Sequence, residues 1–186
     1  MTIRPLLLAV SVSLLFCTVH AQQGWTYRAF NYAGAIFGDG PRGLQITSMH
    51  GFYRARQYAA LGTGYEYYHR SSVPLFLAYK LSLVPKFHLY GNANAGLSFL
   101  LSKSPNTPFG NLQTKAPPGF LGEAGIDWFK TVQSSRYGFS LGGWYSYRQF
   151  QEKFRTEQCI TRPCSDVWEE YRYQYSRWII KAGFVF

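Results

Sequence analysis

From Phe87 to Phe99 the chain changes character at every residue. Phe87, Leu89, Gly91, Ala93, Ala95, Leu97 and Phe99 are apolar or small, and His88, Tyr90, Asn92, Asn94, Gly96 and Ser98 fall between them. A period of two belongs to a β-strand whose two faces meet different surroundings. An apolar row with aromatic ends suits a strand crossing a bilayer, its apolar side to lipid and its polar side to a lumen. A strand of a soluble sandwich shows the same period with the faces reversed, so the period alone does not decide.

The pattern recurs along the chain. Val73, Leu75, Leu77, Tyr79, Leu81 and Leu83 oppose Phe76, Ala78, Lys80 and Ser82. Phe120, Ala124, Ile126 and Trp128 oppose Glu123 and Asp127, and Tyr137, Phe139, Leu141, Tyr145 and Tyr147 oppose Ser140, Trp144, Ser146 and Arg148. Leu61, Tyr65 and Tyr67 oppose Gly62, Gly64 and Glu66. At the end of the chain Trp178, Ile180, Ala182, Phe184 and Phe186 oppose Ile179, Lys181, Gly183 and Val185. Two earlier segments, about 25–37 and 44–53, alternate weakly, and their faces cannot be assigned from the sequence. Each segment has about the 9–11 residues a tilted strand needs to cross a membrane.

The connections sort by length. With both termini on one side of the membrane, the outer connections are about 38–43, 69–72, 101–118 and 151–174, and the inner ones about 54–57, Pro85 and 130–136. Both long connections fall outside, as in bacterial barrels. Composition agrees: 15 Tyr, 15 Phe, 5 Trp and 18 Gly accompany only 15% charged residues, against about 25% in soluble domains. The predicted fold is all-β, an eight-stranded antiparallel transmembrane β-barrel spanning residues 22–186.

The first 21 residues predict an exported protein. Arg4 precedes an apolar run from Leu6 to Phe16, and Val19 and Ala21 suit a signal-peptide cleavage site. That run is shorter than the roughly 20 residues of a membrane helix. Lipidation at Cys17 is disfavoured by the bulk of Phe16 before it. Export places the barrel in the outer membrane of a Gram-negative cell. It also makes Cys159 and Cys164, in the stretch "CITRPC", a candidate disulfide that closes a small loop.

A barrel of eight strands has an interior just wide enough for side chains to fill. The inward faces place Glu66, Glu123 and Asp127 there with Lys80, Arg148 and Lys181, three charges of each sign. Buried charges must pair, so these six form a predicted internal network, either a structural polar core or a gated ion path. No metal or cofactor is expected, because His50, His69 and His88 lack ligand spacing. Gly62 and Gly64 precede no helix and make no phosphate loop. The formal charge of +10 does not suggest nucleic acid in an exported barrel. Arg70, Lys103, Lys115, Lys153, Arg155, Arg162 and Arg172 instead suit lipopolysaccharide phosphates or plain solvation of the outer loops.

On these features the chain resembles small eight-stranded outer-membrane proteins of the OmpA/OmpX type. The stretches "GYEYYHRSSVPLFLAYKL", "NANAGLSF" and "GFLGEAGIDWF" look like barrel proteins of Bacteroidetes-type bacteria. The terminal strand, with Trp178, Ile180, Phe184 and Phe186, resembles the signal read by the barrel assembly machinery, which the resemblance implies as a partner during biogenesis. The resemblance bears on location and fold. The role expected is structural, in envelope integrity or surface binding, with outer-membrane lipids, lipopolysaccharide and an external protein or ligand at the outer loops as partners, and no enzymatic activity is expected. The alternatives are a narrow ion-conducting pore and a lipid-A-modifying enzyme. For the enzyme, His69 and Ser71 resemble the His-x-Ser pair of lipid A deacylases. The continuation Ser72-Val73-Pro74 departs from that pattern, and no acidic residue follows within a dozen positions to orient the imidazole.

Overall fold

The computed structural model describes residues 24–38, 42–67, 70–101, 114–132, 137–158 and 165–186. The predicted signal segment, His69, Cys159 and Cys164 lie outside the described residues. Within them run β1 (Thr26–Gly38), β2 (Gly43–Arg54), β3 (Gln57–Tyr67), β4 (Ser71–Val84) and β5 (Leu89–Leu100). There follow β6 (Thr114–Lys115), β7 (Gly119–Thr131), β8 (Gly138–Gln158) and β9 (Ser165–Val185). Eight of these, all but β6, pair antiparallel with their neighbours in chain order. The register Phe30↔Val185 through Gly38↔Arg177 joins β1 to β9. The sheet therefore closes on itself, and no ring strand has an unpaired edge.

The two faces divide as they do in a barrel that crosses lipid. Leu77, Phe139, Trp178 and Ile180 stand outward, each more than half exposed. A continuous apolar exterior of this kind costs free energy in water and is stable only when covered. Inside, charged residues are buried as fully as aliphatic ones. The chain is an eight-stranded antiparallel β-barrel of the transmembrane type.

The inner half of the lumen, toward the short turns, is filled with apolar groups. Phe30, Tyr32, Met49, Tyr58, Phe76 and Phe129 form one buried cluster, and Phe30 lies 4.8 Å from the Tyr58 ring and 5.5 Å from the Phe129 ring. Phe76 fits because its two neighbours across the sheet are Gly62 and Gly96. A Cβ at Gly62 would lie 2.3 Å from Phe76 Cε2. This cluster also explains the weak alternation of the first segment; in the second, Ser48 and His50 break the outward row while Gln45 and Thr47 join Met49 inside. Phe30, Tyr32, Ile36 and Met49 point inward and are buried, while Asn31, Ala33 and Ala35 take the outward positions of β1. Where the lumen itself is aromatic, both faces of a strand are apolar and the period fades.

Two short inner turns require left-handed backbone, Ala55 at φ 53° and His88 at φ 55°. The second follows a 3-10 turn, Pro85–Phe87, so the fifth strand begins at Leu89 rather than at Phe87. The larger correction is at the other end. Of residues 151–174, expected to form a loop, 151–158 and 165–174 continue as strand: β8 and β9 are 21 residues each and pair out to Gln158↔Ser165. β7 leaves β8 at Gln149 and β1 leaves β9 at Arg177. Beyond those points a two-stranded hairpin projects about 30 Å from the rim, at about 3.3 Å per residue, with β6 pairing against it at Lys153 and Phe154.

Candidate functional site: the ion-paired interior

Parity delivers the charges. Glu66 on β3, Lys80 on β4, Glu123 and Asp127 on β7, Arg148 on β8 and Lys181 on β9 all point into the lumen, and all are buried. They assemble into two nodes.

The first node centres on Asp127. Its Oδ2 accepts from Lys80 Nζ at 2.7 Å and from the Tyr32 hydroxyl at 2.8 Å, and its Oδ1 accepts from Trp144 Nε1 at 2.7 Å. A Cβ at Gly142, directly across the sheet, would meet Asp127 Oδ1 at 2.0 Å. Only glycine leaves that oxygen its place. Lys80 Nζ also lies 4.4 Å from the Phe30 ring centre, and Lys181 Nζ lies 4.2 Å from the Trp144 ring. The aromatic faces supply part of the solvation these ammonium groups lose.

The second node holds Glu66 and Glu123 around Arg148. The guanidinium donates from Nε to Glu66 Oε2 at 3.0 Å and from Nη2 to Glu123 Oε1 at 2.7 Å. Lys181 Nζ donates to Glu123 Oε2 at 2.7 Å. Gln45 Nε2 bridges the two carboxylates at 2.6 and 2.8 Å, and Asn94 Nδ2 reaches Glu123 Oε2 at 3.0 Å. Taking such ions out of water costs several kcal/mol each, recovered only with this density of partners.

Sequence reasoning overlooked a third layer nearer the rim. Arg70 pairs with Glu152, and Arg177 is buried with its guanidinium 5.2 Å from the Tyr175 ring. Arg177 shares the parity of Ile179 and Lys181, a signal the sequence does carry. Glu152 was hidden by its assignment to a loop, and Gln45 by the unassigned face of β2. In the projecting hairpin, Glu170 takes hydrogen bonds from Lys153 and Arg172 that hold its carboxyl below the usual carboxylate range.

Five described pairs therefore bring each buried carboxylate to a cation: Asp127–Lys80, Glu66–Arg148, Glu123–Arg148, Glu123–Lys181 and Glu152–Arg70. The interior cavity beside the aromatic cluster, lined by Arg28, Tyr53, Tyr90 and neighbours, measures about 10 Å³. That is about one water molecule's worth of space. Among the described residues no group of three His, Cys, Asp or Glu side chains is placed to hold a metal ion.

The other candidate residues are dispersed. Ser71 Oγ lies 2.8 Å from the Tyr65 hydroxyl at the outer end of β4. Trp178, Ile180, Phe184 and Phe186 are exposed along the outward face of β9 and its last residue.

No family model and no curated protein matches the chain. Among solved structures, the chain is similar to the outer membrane protein AlkL, solved by solid-state NMR in DMPC bilayers, at 12% identity over 87% of this chain and 89% of that one, with a TM-score of 0.47. It is also similar to the outer membrane protein OprG from Pseudomonas aeruginosa, at 12% identity over 87% and 94%, with a TM-score of 0.38. Neither likeness adds to what the barrel itself establishes.

Proposed function

We propose that this chain is an integral outer-membrane protein whose lumen is a closed structural core and whose role is exercised at its surfaces, in envelope integrity or in binding an external partner. The observation that carries this reading is the pairing of every described buried carboxylate with a cation, across a lumen filled below by aromatic rings. An ion entering such a core would have to displace charge-assisted bonds in a region of low dielectric. The basic outer rim suits lipopolysaccharide phosphates, and the projecting hairpin offers an edge and a face to an external protein or ligand. The assembly machinery is the partner proposed for the terminal strand, before the barrel is complete.

Planar-bilayer recording tests the closed core. The purified barrel is expected to show no steady unitary conductance at moderate voltage. Steady openings that change in size with Glu123→Gln would overturn the closed core and make the protein a narrow pore.

A further inference from the structure

The outer wall of the barrel carries a polar constellation that the interior reading does not use. Asn31 and Ser48 are direct cross-strand partners on β1 and β2, and Tyr27 and His50 lie on the same outward face toward the inner turns. Ser48 Oγ is 2.9 Å from His50 Nε2, and His50 Nδ1 is 2.6 Å from the Tyr27 hydroxyl. Ser48 Oγ also donates to Asn31 Oδ1 at 2.8 Å. A hydroxyl nucleophile, an imidazole within hydrogen-bond reach and a third group on the far ring nitrogen form the general arrangement of nucleophilic acyl transfer.

These polar groups interrupt an otherwise apolar outward row. The outward row continues with Leu44, Ile46 and Phe52, each about half exposed. Next to His50 opens a groove of about 620 Å³ across β2 to β5, walled by Phe52, Leu61, Leu77 and Tyr79 and floored by Ala59 and Ala93. Its volume falls within the roughly 300–1,000 Å³ of clefts that hold small apolar ligands, and its walls are apolar, as an acyl chain requires. The groove lies in the half of the barrel that carries the short turns, and backbone bonds of 2.8 and 3.1 Å join Ala29, the cross-strand partner of His50, to the terminal Phe186. The polar cluster therefore sits near a membrane–water boundary, with the groove running from it along the wall.

We propose that Ser48, His50 and Tyr27 form an esterase site for membrane-lipid acyl esters, with the scissile acyl chain held in this groove. Ser48 Oγ attacks the ester carbonyl carbon and passes its proton to His50 Nε2, while the Tyr27 oxygen accepts from Nδ1–H and fixes the ring. The carbon–oxygen bond to the lipid alcohol breaks, and that oxygen leaves with the proton from Nε2. Water then attacks the acyl-serine, its proton returning through His50 to Ser48, and a fatty acid departs beside a lysolipid. A half-turn of the Asn31 amide, whose orientation is set only by hydrogen bonding, places Nδ2 rather than Oδ1 toward the site. That frees the serine proton for His50 and supplies a donor for the developing oxyanion. The site stands independently of the closed lumen and requires only that the barrel sit in lipid.

The test uses the full-length barrel refolded into liposomes of diacyl phospholipid, with and without added lipopolysaccharide. Fatty-acid release is measured together with labelling by a fluorophosphonate, which reacts with activated serines. The expected result is release above empty liposomes and an adduct on the peptide containing Ser48, both lost in Ser48→Ala. His50→Gln should reduce release at least about 100-fold, the lower bound of a positioned base, and Ser71→Ala should leave it unchanged. The two liposome compositions distinguish phospholipid from lipid A as the acyl source. Each variant is accepted only if its unboiled gel migration matches that of the folded parent. A folded parent that neither releases fatty acid from either liposome nor carries the adduct would overturn the proposal, as would release unchanged in Ser48→Ala.

Discussion

At the scale of single residues, the interior ion pairs differ from surface pairs in what their removal exposes. Lys80 is fully inside, and Asp127 keeps only Tyr32 and Trp144 when the ammonium is lost. Lys80→Met should therefore destabilise the barrel by about 3–5 kcal/mol, the cost of an uncompensated buried charge. Adding Asp127→Asn should recover most of that loss, since the amide oxygen still accepts from Trp144 while the charge is gone. Urea unfolding in lipid vesicles, followed by tryptophan fluorescence, measures both variants. A single-variant cost below about 1 kcal/mol would mean that water reaches the pair. The six charges were legible because each sits in the row opposite the apolar, lipid-facing row of an alternating strand. Tyr32 and Trp144, which complete the Asp127 node, were not legible as ligands. In a chain with 15 Tyr and 5 Trp, an aromatic residue carries little information about its partner.

At the scale of elements, legibility follows the environment on each face. β4, β5 and β7 separate lipid from a polar lumen, and their faces can be read directly. β1 separates lipid from an aromatic lumen, and its faces cannot. The outermost parts of β8 and β9 separate water from water, so Lys153, Glu169, Glu170 and Arg172 occupy both faces and the segment looks like a loop. Only pairing between the two strands, which leaves no hydrophobic period, makes it a hairpin. The inner turns hold a further consequence. Ala55 sits at φ 53°, where a Cβ costs roughly 1–2 kcal/mol. Ala55→Gly should accordingly raise unfolding stability by up to about 1 kcal/mol after the added freedom of the unfolded chain is subtracted. A loss of stability in the same urea titration would show that the turn is held by contacts of the Ala55 methyl instead.

At the scale of the molecule, closure is the step on which everything else depends, because β1 and β9 lie at opposite ends of the chain. Their register runs from Phe30↔Val185 to Gly38↔Arg177, and the Ala29–Phe186 bonds extend it by one residue. The terminal residue thus contributes its backbone to the seam and its ring to the outside, stacked on Phe184 at 6.1 Å. These two contributions can be separated. Phe186→Ala keeps both backbone bonds and removes only an outward ring that already faces lipid. Its effect on the refolded barrel in vesicles should stay below about 1.5 kcal/mol, the low end for burying an aromatic side chain. If the ring serves recognition during assembly, as proposed, the same variant should lower the amount of heat-shiftable barrel in cells several-fold, out of proportion to that small change. Equal cellular yield for Phe186→Ala and the parent would remove the recognition role. A stability loss large enough to account for the yield would instead assign the ring to the closed barrel.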